Sequence, residues 1–192
     1  MFQTFFVFPG QNFFSQSGKV SVSKGQHVKT FENYGPEFHV ELTVRVLKDA
    51  DISGNGYGNI LHVNDGGPEC CAHGNRFPAI FYNDDRYFEF ISTINGDGHA
   101  RLQYNGVKLN FDYKIIVSQQ YNTAGKLIYT ITVNEQVLYF VENTNPLTIN
   151  NGLLYLSNHL SNSFGPYGQV SDVTVISGHI KEGNQLFFND KI

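Results

Sequence analysis

Two carboxylates four positions apart, Glu37 and Glu41, form the first pair in this chain with catalytic potential. Glycoside hydrolysis needs two carboxyl groups about 5–9.5 Å apart, flanking the scissile bond. Positions four apart on a strand share a face, so the pair could converge, although a solvated strand face produces the same pattern. A cysteine nucleophile needs a base and an orienting group beside it, and Cys71 with His73 supplies only the start of such a set. The chain has no Gly-x-Ser-x-Gly elbow. Cys70, Cys71, His73 and His62 are zinc-ligating types. Neighbouring strand side chains point to opposite faces, however, so Cys-Cys-x-His is poor spacing for one ion. The adjacent cysteines cannot close an ordinary disulfide either, which leaves free thiols, a vicinal bridge or a bond to a second chain open. Without paired carboxylates or an activated nucleophile, the chain is expected to bind rather than to catalyse.

Oxygen donors are better represented. Asp49-Ala50-Asp51-Ile52-Ser53-Gly54-Asn55 reproduces the first half of an Asp-x-Asp-x-Ser-Gly calcium loop, making Asp49, Asp51 and Asn55 the candidate Ca2+ ligands. The second half fails, because Gly56 replaces a branched apolar residue and Ile60 stands where a bidentate Glu belongs. Polar ligands are held by Asn, Asp, His, Arg and backbone amides, with an aromatic ring under a flat ligand face. Such residues gather in three loops. The first holds Asp65, His73, Asn75 and Arg76, the second Asn95, Asp97 and His99, and the third Asn158, His159, Asn162, Phe164 and Tyr167. Segments 66–76 and 158–167 are long for hairpin connections, and long loops in compact domains are commonly functional. They are expected to form one rim site from Asp65, His73, Asn75, Arg76, Asn158, His159 and Tyr167. The competing expectation is that Phe164 and Tyr167 close the end of the core.

The elements that must position these residues read as strands. Phe38, Val40, Leu42, Val44 and Val46 share one face of a nine-residue run, and His39, Glu41, Thr43 and Arg45 share the other. Period two over that length marks a half-buried strand. Similar runs fall at 59–63, 79–82, 87–94, 114–119, 126–133, 137–141, 153–156 and 170–176, with a first strand at 4–8. Asn-Gly at 55–56, 95–96, 105–106 and 151–152 suits type I′ turns, which need positive φ at both central residues. No amphipathic helix of ten residues, linker or fixed-period repeat interrupts the series. The expectation is one all-β domain over 1–192, a two-sheet antiparallel sandwich with almost no helix.

Composition narrows the partners. The chain has 192 residues, 41% hydrophobic and 15% aromatic, with 17 Phe, 11 Tyr and no Trp, which is ample for a sizeable core. Lys and Arg total 13, the net charge is −4 and no basic run occurs, so nucleic acid and anionic lipid surfaces are not expected partners. No apolar stretch approaches the roughly 20 residues that span a bilayer as a helix. The opening Met-Phe-Gln-Thr-Phe-Phe-Val-Phe-Pro-Gly lacks the cationic start and small-residue cleavage site of a leader peptide.

The order of these motifs resembles a laminin G-like domain of the concanavalin A-like lectin/glucanase superfamily. The resemblance runs over about 37–177, from the strand Phe38–Val46 through Asn59-Ile60-Leu61-His62-Val63 and Asn75-Arg76-Phe77-Pro78-Ala79-Ile80-Phe81. It continues through Asn105-Gly106-Val107-Lys108-Leu109 and 128–137 to Leu153-Leu154-Tyr155-Leu156-Ser157-Asn158, then Gly168-Gln169-Val170-Ser171-Asp172-Val173-Thr174-Val175. What it implies is an antiparallel jelly roll, secreted or extracellular, that binds a glycan or glycoprotein through rim loops or a sheet face, often with calcium at the rim. The family's calcium ligands find no residue-for-residue match here, and the Glu-x-Asp-x-x-Glu of its glucanases is missing. A lectin-like module is therefore expected. The alternative is a structural or adhesive matrix component that binds a protein, and homo-oligomerisation stays open.

Overall fold

The computed structural model describes residues 12–49, 56–67, 72, 74–157 and 162–178, and among them the chain forms strands and turns with no helix. The alternation that marked Phe38–Val46 holds: the five inward residues of this strand, β3, are fully buried. Register then repeats the pattern across its neighbours. Val40 faces Val117, Leu42 faces Ile115 and Val44 faces Tyr113 on β8 (Asp112–Tyr121). Ile115 and Val117 in turn face Val133 and Ile131 on β9 (Leu127–Val133). Three aligned period-two strands make a continuous apolar surface, which only a second such surface can cover.

The first sheet is completed by β1 (Asn12–Val20), β10 (Gln136–Glu142) and β13 (Gly168–Ser177), in the order β1-β13-β3-β8-β9-β10. The second contains β2 (His27–Tyr34), β4 (Tyr57–Asn64), β5 (Ala79–Asn83), β6 (Tyr87–Ile94), β7 (Asp97–Asn105) and β11 (Ile149–Tyr155). Their order is β2-β11-β4-β5-β6-β7, and a two-residue strand, β12 (Asn162–Ser163), pairs parallel to β4. Phe31, Ile80, Tyr82, Phe88, Phe90 and Leu154 of the second sheet meet the inner face of the first in one buried cluster. Each such side chain removed from water stabilises the fold by about 1.5–3 kcal/mol.

A polar clamp ties the two sheets at one end. Asn143, just after β10, donates to the Gln119 side chain of β8 at 2.7 Å and to the Thr93 carbonyl of β6 at 3.4 Å. Its own carbonyl accepts the Asn95 N–H at 2.8 Å. Asn143 and Gln119 are buried, so these bonds replace water that cannot reach them.

The turns divide. Asn95 (φ 54°) and Gly96 (φ 81°) make the expected left-handed pair between β6 and β7, and Asn134 (φ 47°) with Glu135 (φ 67°) does the same between β9 and β10. The expected turn at Asn151-Gly152 is a correction: both lie inside β11, opposite Glu32 and Phe31. A side chain at Gly152 would meet Tyr34 Cβ at 2.5 Å, so this glycine makes room for a buried tyrosine. Asn105 likewise ends a strand, and only Gly106 takes positive φ. The strand expected at 4–8 and Asn55 lie outside the described residues.

Candidate functional site

Period two leaves the outer face of the second sheet with a distinctive set of side chains. On β5 to β7, Ile80, Tyr82, Phe88, Phe90, Leu102 and Tyr104 pack into the core. Phe81, Tyr87, Glu89, Ile91, His99 and Arg101 therefore turn the other way. Register places Phe81 opposite Glu89 and Ile91 opposite Arg101. Ala79, Phe81 and Ile91 form a small second apolar cluster, with Tyr57 of β4 packed against it. Tyr57 and Tyr87 share a hydrogen bond between their hydroxyls at 2.9 Å, and the Tyr57 and His62 rings meet Phe81 edge-on at 6.1 and 6.3 Å. The result is a buried floor framed by half-buried tyrosines.

Arg76 reaches this face from the segment ahead of β5. The Phe77 N–H donates to the Val63 carbonyl and the Val63 N–H to the Pro78 carbonyl, both at 2.9 Å. The His62 imidazole Nε2–H donates to the Asn75 carbonyl, so the segment is fastened to β4 on both sides. From there the Arg76 guanidinium lies over the Phe81 ring, 5.4 Å from its centroid.

Three basic groups meet above the floor. Arg101 Nε donates to His99 Nε2 at 2.7 Å, and Arg76 Nη1 stands 3.4 Å from His99 Nδ1. Arg101 Nη1 lies 3.8 Å from the Glu89 carboxylate, whose side chain is 3% exposed against 50% for Arg101. Asp97 accepts the His99 backbone N–H at 2.8 Å. Burial lowers the Arg76 pKa, and Arg101 lowers it further, while Glu89 opposes both. Burial, then Arg101 and Arg76, hold His99 below the ordinary value of 6.5, so its imidazole is neutral at pH 7.

The residues singled out in the sequence separate into two ends. Asp65 and Asn75 come together, next in sequence to Arg76: a Cβ at Gly67 would lie 2.9 Å from Asn75 Oδ1 and 3.0 Å from Asp65 Oδ1. Asp65 accepts the Gly67 N–H at 2.9 Å. Tyr167 lies elsewhere. Its carbonyl accepts the Leu47 N–H at 2.9 Å and its ring sits under Lys48 Nζ at 5.7 Å. Asn162 pairs with Gly58 at one end of β4, six residues from Asn64 at the other, which is about 20 Å of strand. The single rim expected from segments 66–76 and 158–167 is thus a correction for their described parts, which lie at opposite ends of β4. Phe164 is fully buried against Tyr82 at 5.9 Å and closes the core. His73, Asn158, His159, Cys70 and Cys71 lie outside the described residues.

The remaining candidates are committed to other partners. Both Asp49 oxygens accept from Arg86, at 2.7 and 2.6 Å. Asp51 and Asn55 lie outside the described residues, and no group of three His, Cys, Asp or Glu side chains among the described residues could hold a metal. Glu41 pairs with Lys114 Nζ at 3.0 Å and Glu37 accepts the Tyr121 N–H at 3.3 Å.

Sequence reasoning passed over Tyr57, Phe81, Tyr87, Glu89 and Arg101. The signal was available in 87–91, where Tyr87, Glu89 and Ile91 alternate with the core residues Phe88 and Phe90. Arg101 was out of reach because Asp97–Asn105 was not recognised as a strand.

No protein-family model and no curated protein sequence matches the chain. Solved structures do. The receptor binding domain of botulinum neurotoxin D is 8% identical, with a TM-score of 0.54 over 89% of this chain and 45% of that one. The botulinum neurotoxin serotype D ligand binding domain, crystallised with N-acetylneuraminic acid, is 11% identical, with a TM-score of 0.51 over 93% and 41%. A heptameric SAP-like pentraxin from Limulus polyphemus is 11% identical, with a TM-score of 0.50 over 86% and 75%. The chain spans less than half the length of the two neurotoxin domains. At such identities the likeness is one of fold alone, a two-sheet antiparallel β-sandwich of the jelly-roll kind.

Proposed function

We propose that this chain is a non-catalytic carbohydrate-binding module, a lectin-like domain whose glycan lies on the outer face of β4 to β7. One observation carries the reading. Tyr57, Arg76, Tyr87, His99 and Arg101 converge from three strands and a fastened segment onto a shared apolar floor, each held by its neighbours. An ordinary solvated sheet face scatters its polar groups, whereas this one fixes hydroxyls, an imidazole and guanidiniums before any ligand arrives. Such preorganisation lowers the entropic cost of binding a flexible, hydrated sugar. The resemblance to laminin G-like domains supports an extracellular setting, and the neurotoxin domain seen with N-acetylneuraminic acid supports a glycan as ligand for this fold.

A second reading, an adhesive module that binds a protein, draws on β10. This edge strand exposes Val137 at 57% and Phe140 at 66%, and edge strands are ready sites for protein contact.

A glycan array run with and without calcium, followed by titration calorimetry, tests the first reading. Saturable binding, competed by free sugar and reduced about tenfold or more by Arg101→Ala, is expected. A folded protein with no saturable glycan binding, retaining a protein partner that Phe140→Asp releases, would replace it with the second.

A further inference from the structure

Resting on that reading, we propose that the site selects acidic glycans, with the carboxylate of a sugar seated across Arg76, His99 and Arg101. The argument begins with the donors. A neutral imidazole has one nitrogen that accepts and one that donates. Both ring nitrogens of His99 face a guanidinium, Nε2 at 2.7 Å from Arg101 Nε and Nδ1 at 3.4 Å from Arg76 Nη1. When Nε2 accepts from Arg101, the proton sits on Nδ1 and points at an Arg76 donor. The other tautomer turns the opposition onto the shorter contact, and the imidazolium has both. Every protonation state of His99 therefore sets at least one N–H against another.

Charge adds to this. The two guanidiniums stand on either side of one ring, and Arg101 outweighs Glu89 in its effect on Arg76. Glu89 is held in the floor at 3% exposure, and Asp97 accepts the His99 backbone N–H. A ligand oxygen placed between Arg76 and His99 accepts from both, and a carboxylate also presents its second oxygen to the half-exposed Arg101. Planar forks matched to carboxylates give short, charge-assisted bonds that a neutral hydroxyl cannot equal. The chain as a whole carries −4, so general attraction for polyanions would not imitate this selectivity.

The packing keeps the array from relaxing. Arg101 is set by the pairing of Ile91 with it across β6 and β7, and Arg76 by the segment anchored through His62 and Phe77.

The test compares an oligosaccharide ending in N-acetylneuraminic acid or a uronic acid with its own methyl ester, which keeps the shape and removes the charge. Titration calorimetry on the whole chain is run for wild type, Arg76→Gln, His99→Gln, Arg101→Gln and the distant control Lys126→Gln, with melting temperatures recorded alongside. In the wild type the acid is expected to bind at least about tenfold more tightly than its ester. That ratio should fall toward one in Arg76→Gln and Arg101→Gln and stay unchanged in Lys126→Gln. His99→Gln, whose carbonyl can accept from Arg76, should retain binding with a smaller preference. Equal affinity for acid and ester in the wild type overturns the inference and leaves a neutral-glycan lectin standing. A preference that survives both arginine variants places the carboxylate elsewhere and also overturns it. Saturable binding of neither acidic nor neutral sugars overturns the functional reading itself.

Discussion

Arg101 and Glu89 offer a sharp test of the electrostatics beneath the proposed site. Their charges lie 3.8 Å apart, with the carboxylate almost wholly buried and the guanidinium half exposed. At an effective dielectric near 20, the attraction over that distance is about 4 kcal/mol. Solvent around Arg101 reduces it, so Arg101→Gln is expected to cost about 2 kcal/mol by leaving a buried charge without its counter-ion. Glu89→Gln keeps the shape and removes the attraction together with the cost of burying the charge. Its effect should stay within about 1 kcal/mol. In the Arg101→Gln background the same substitution should therefore stabilise the protein. Loss of the Arg101–His99 hydrogen bond is common to both backgrounds and cancels in the coupling. Urea denaturation of the four proteins reads the cycle, and thermal melts should move by about 2–4 °C per kcal/mol in a chain of this size. Additive effects, within about 0.3–0.5 kcal/mol, would show that Glu89 carries no buried charge and refute the reasoning.

Three further outcomes are expected. At Gly152, Asn should destabilise more than Ala, with Ala costing about 1–3 kcal/mol through its 2.5 Å approach to Tyr34 Cβ; a type I′ turn would instead favour Asn, and chemical denaturation separates the two. Asn143→Ala should cost about 3 kcal/mol, because it strips partners from the Asn95 N–H and the buried Gln119 carbonyl oxygen at once; a loss under about 1 kcal/mol in urea would mean that the clamp is not needed. Folding holds the His99 pKa below 6.5, so on acidification the unfolded chain takes up a proton that the folded chain resists. From about pH 7 downward, wild-type stability should fall relative to His99→Gln, levelling off once the pH passes below the folded value, and parallel profiles would contradict the assigned environment.

Much of the scaffold was legible from local pattern. Phe38–Val46 and Tyr87–Ile94 read as strands with their observed bounds, because alternation of apolar and polar residues is a property of neighbours in sequence. β2 escaped because its fully buried residues, Phe31 and Tyr34, stand three apart and break the period. β1 escaped because an edge strand with a bulge, rich in Ser, Gln and Gly, buries little. Asn151-Gly152 misled for a related reason. The dipeptide is a turn signal when the backbone is free to choose, and packing against Tyr34 gives the glycine another purpose.

The site itself was only half visible. Arg76, Asn75 and Asp65 stood out as polar residues in a long loop, and that loop does border the proposed face. Their expected companion Tyr167 belongs to the far end of β4, because loop length says that a segment is available for function and nothing about which end of the sandwich it caps. The side-chain types, the strand alternation and the absence of hydrolase and nucleophile motifs follow from the order of residues alone. Which of them meet was decided by register between strands, which sets Phe81 beside Glu89 and Ile91 beside Arg101, and by the fastening of Arg76 over Phe81 through contacts between residues remote in the chain. A shift of one residue in any of those pairings would send His99 and Arg101 into the core and dissolve the site, and that register is fixed by the buried faces of the strands, not by the polar residues it brings together.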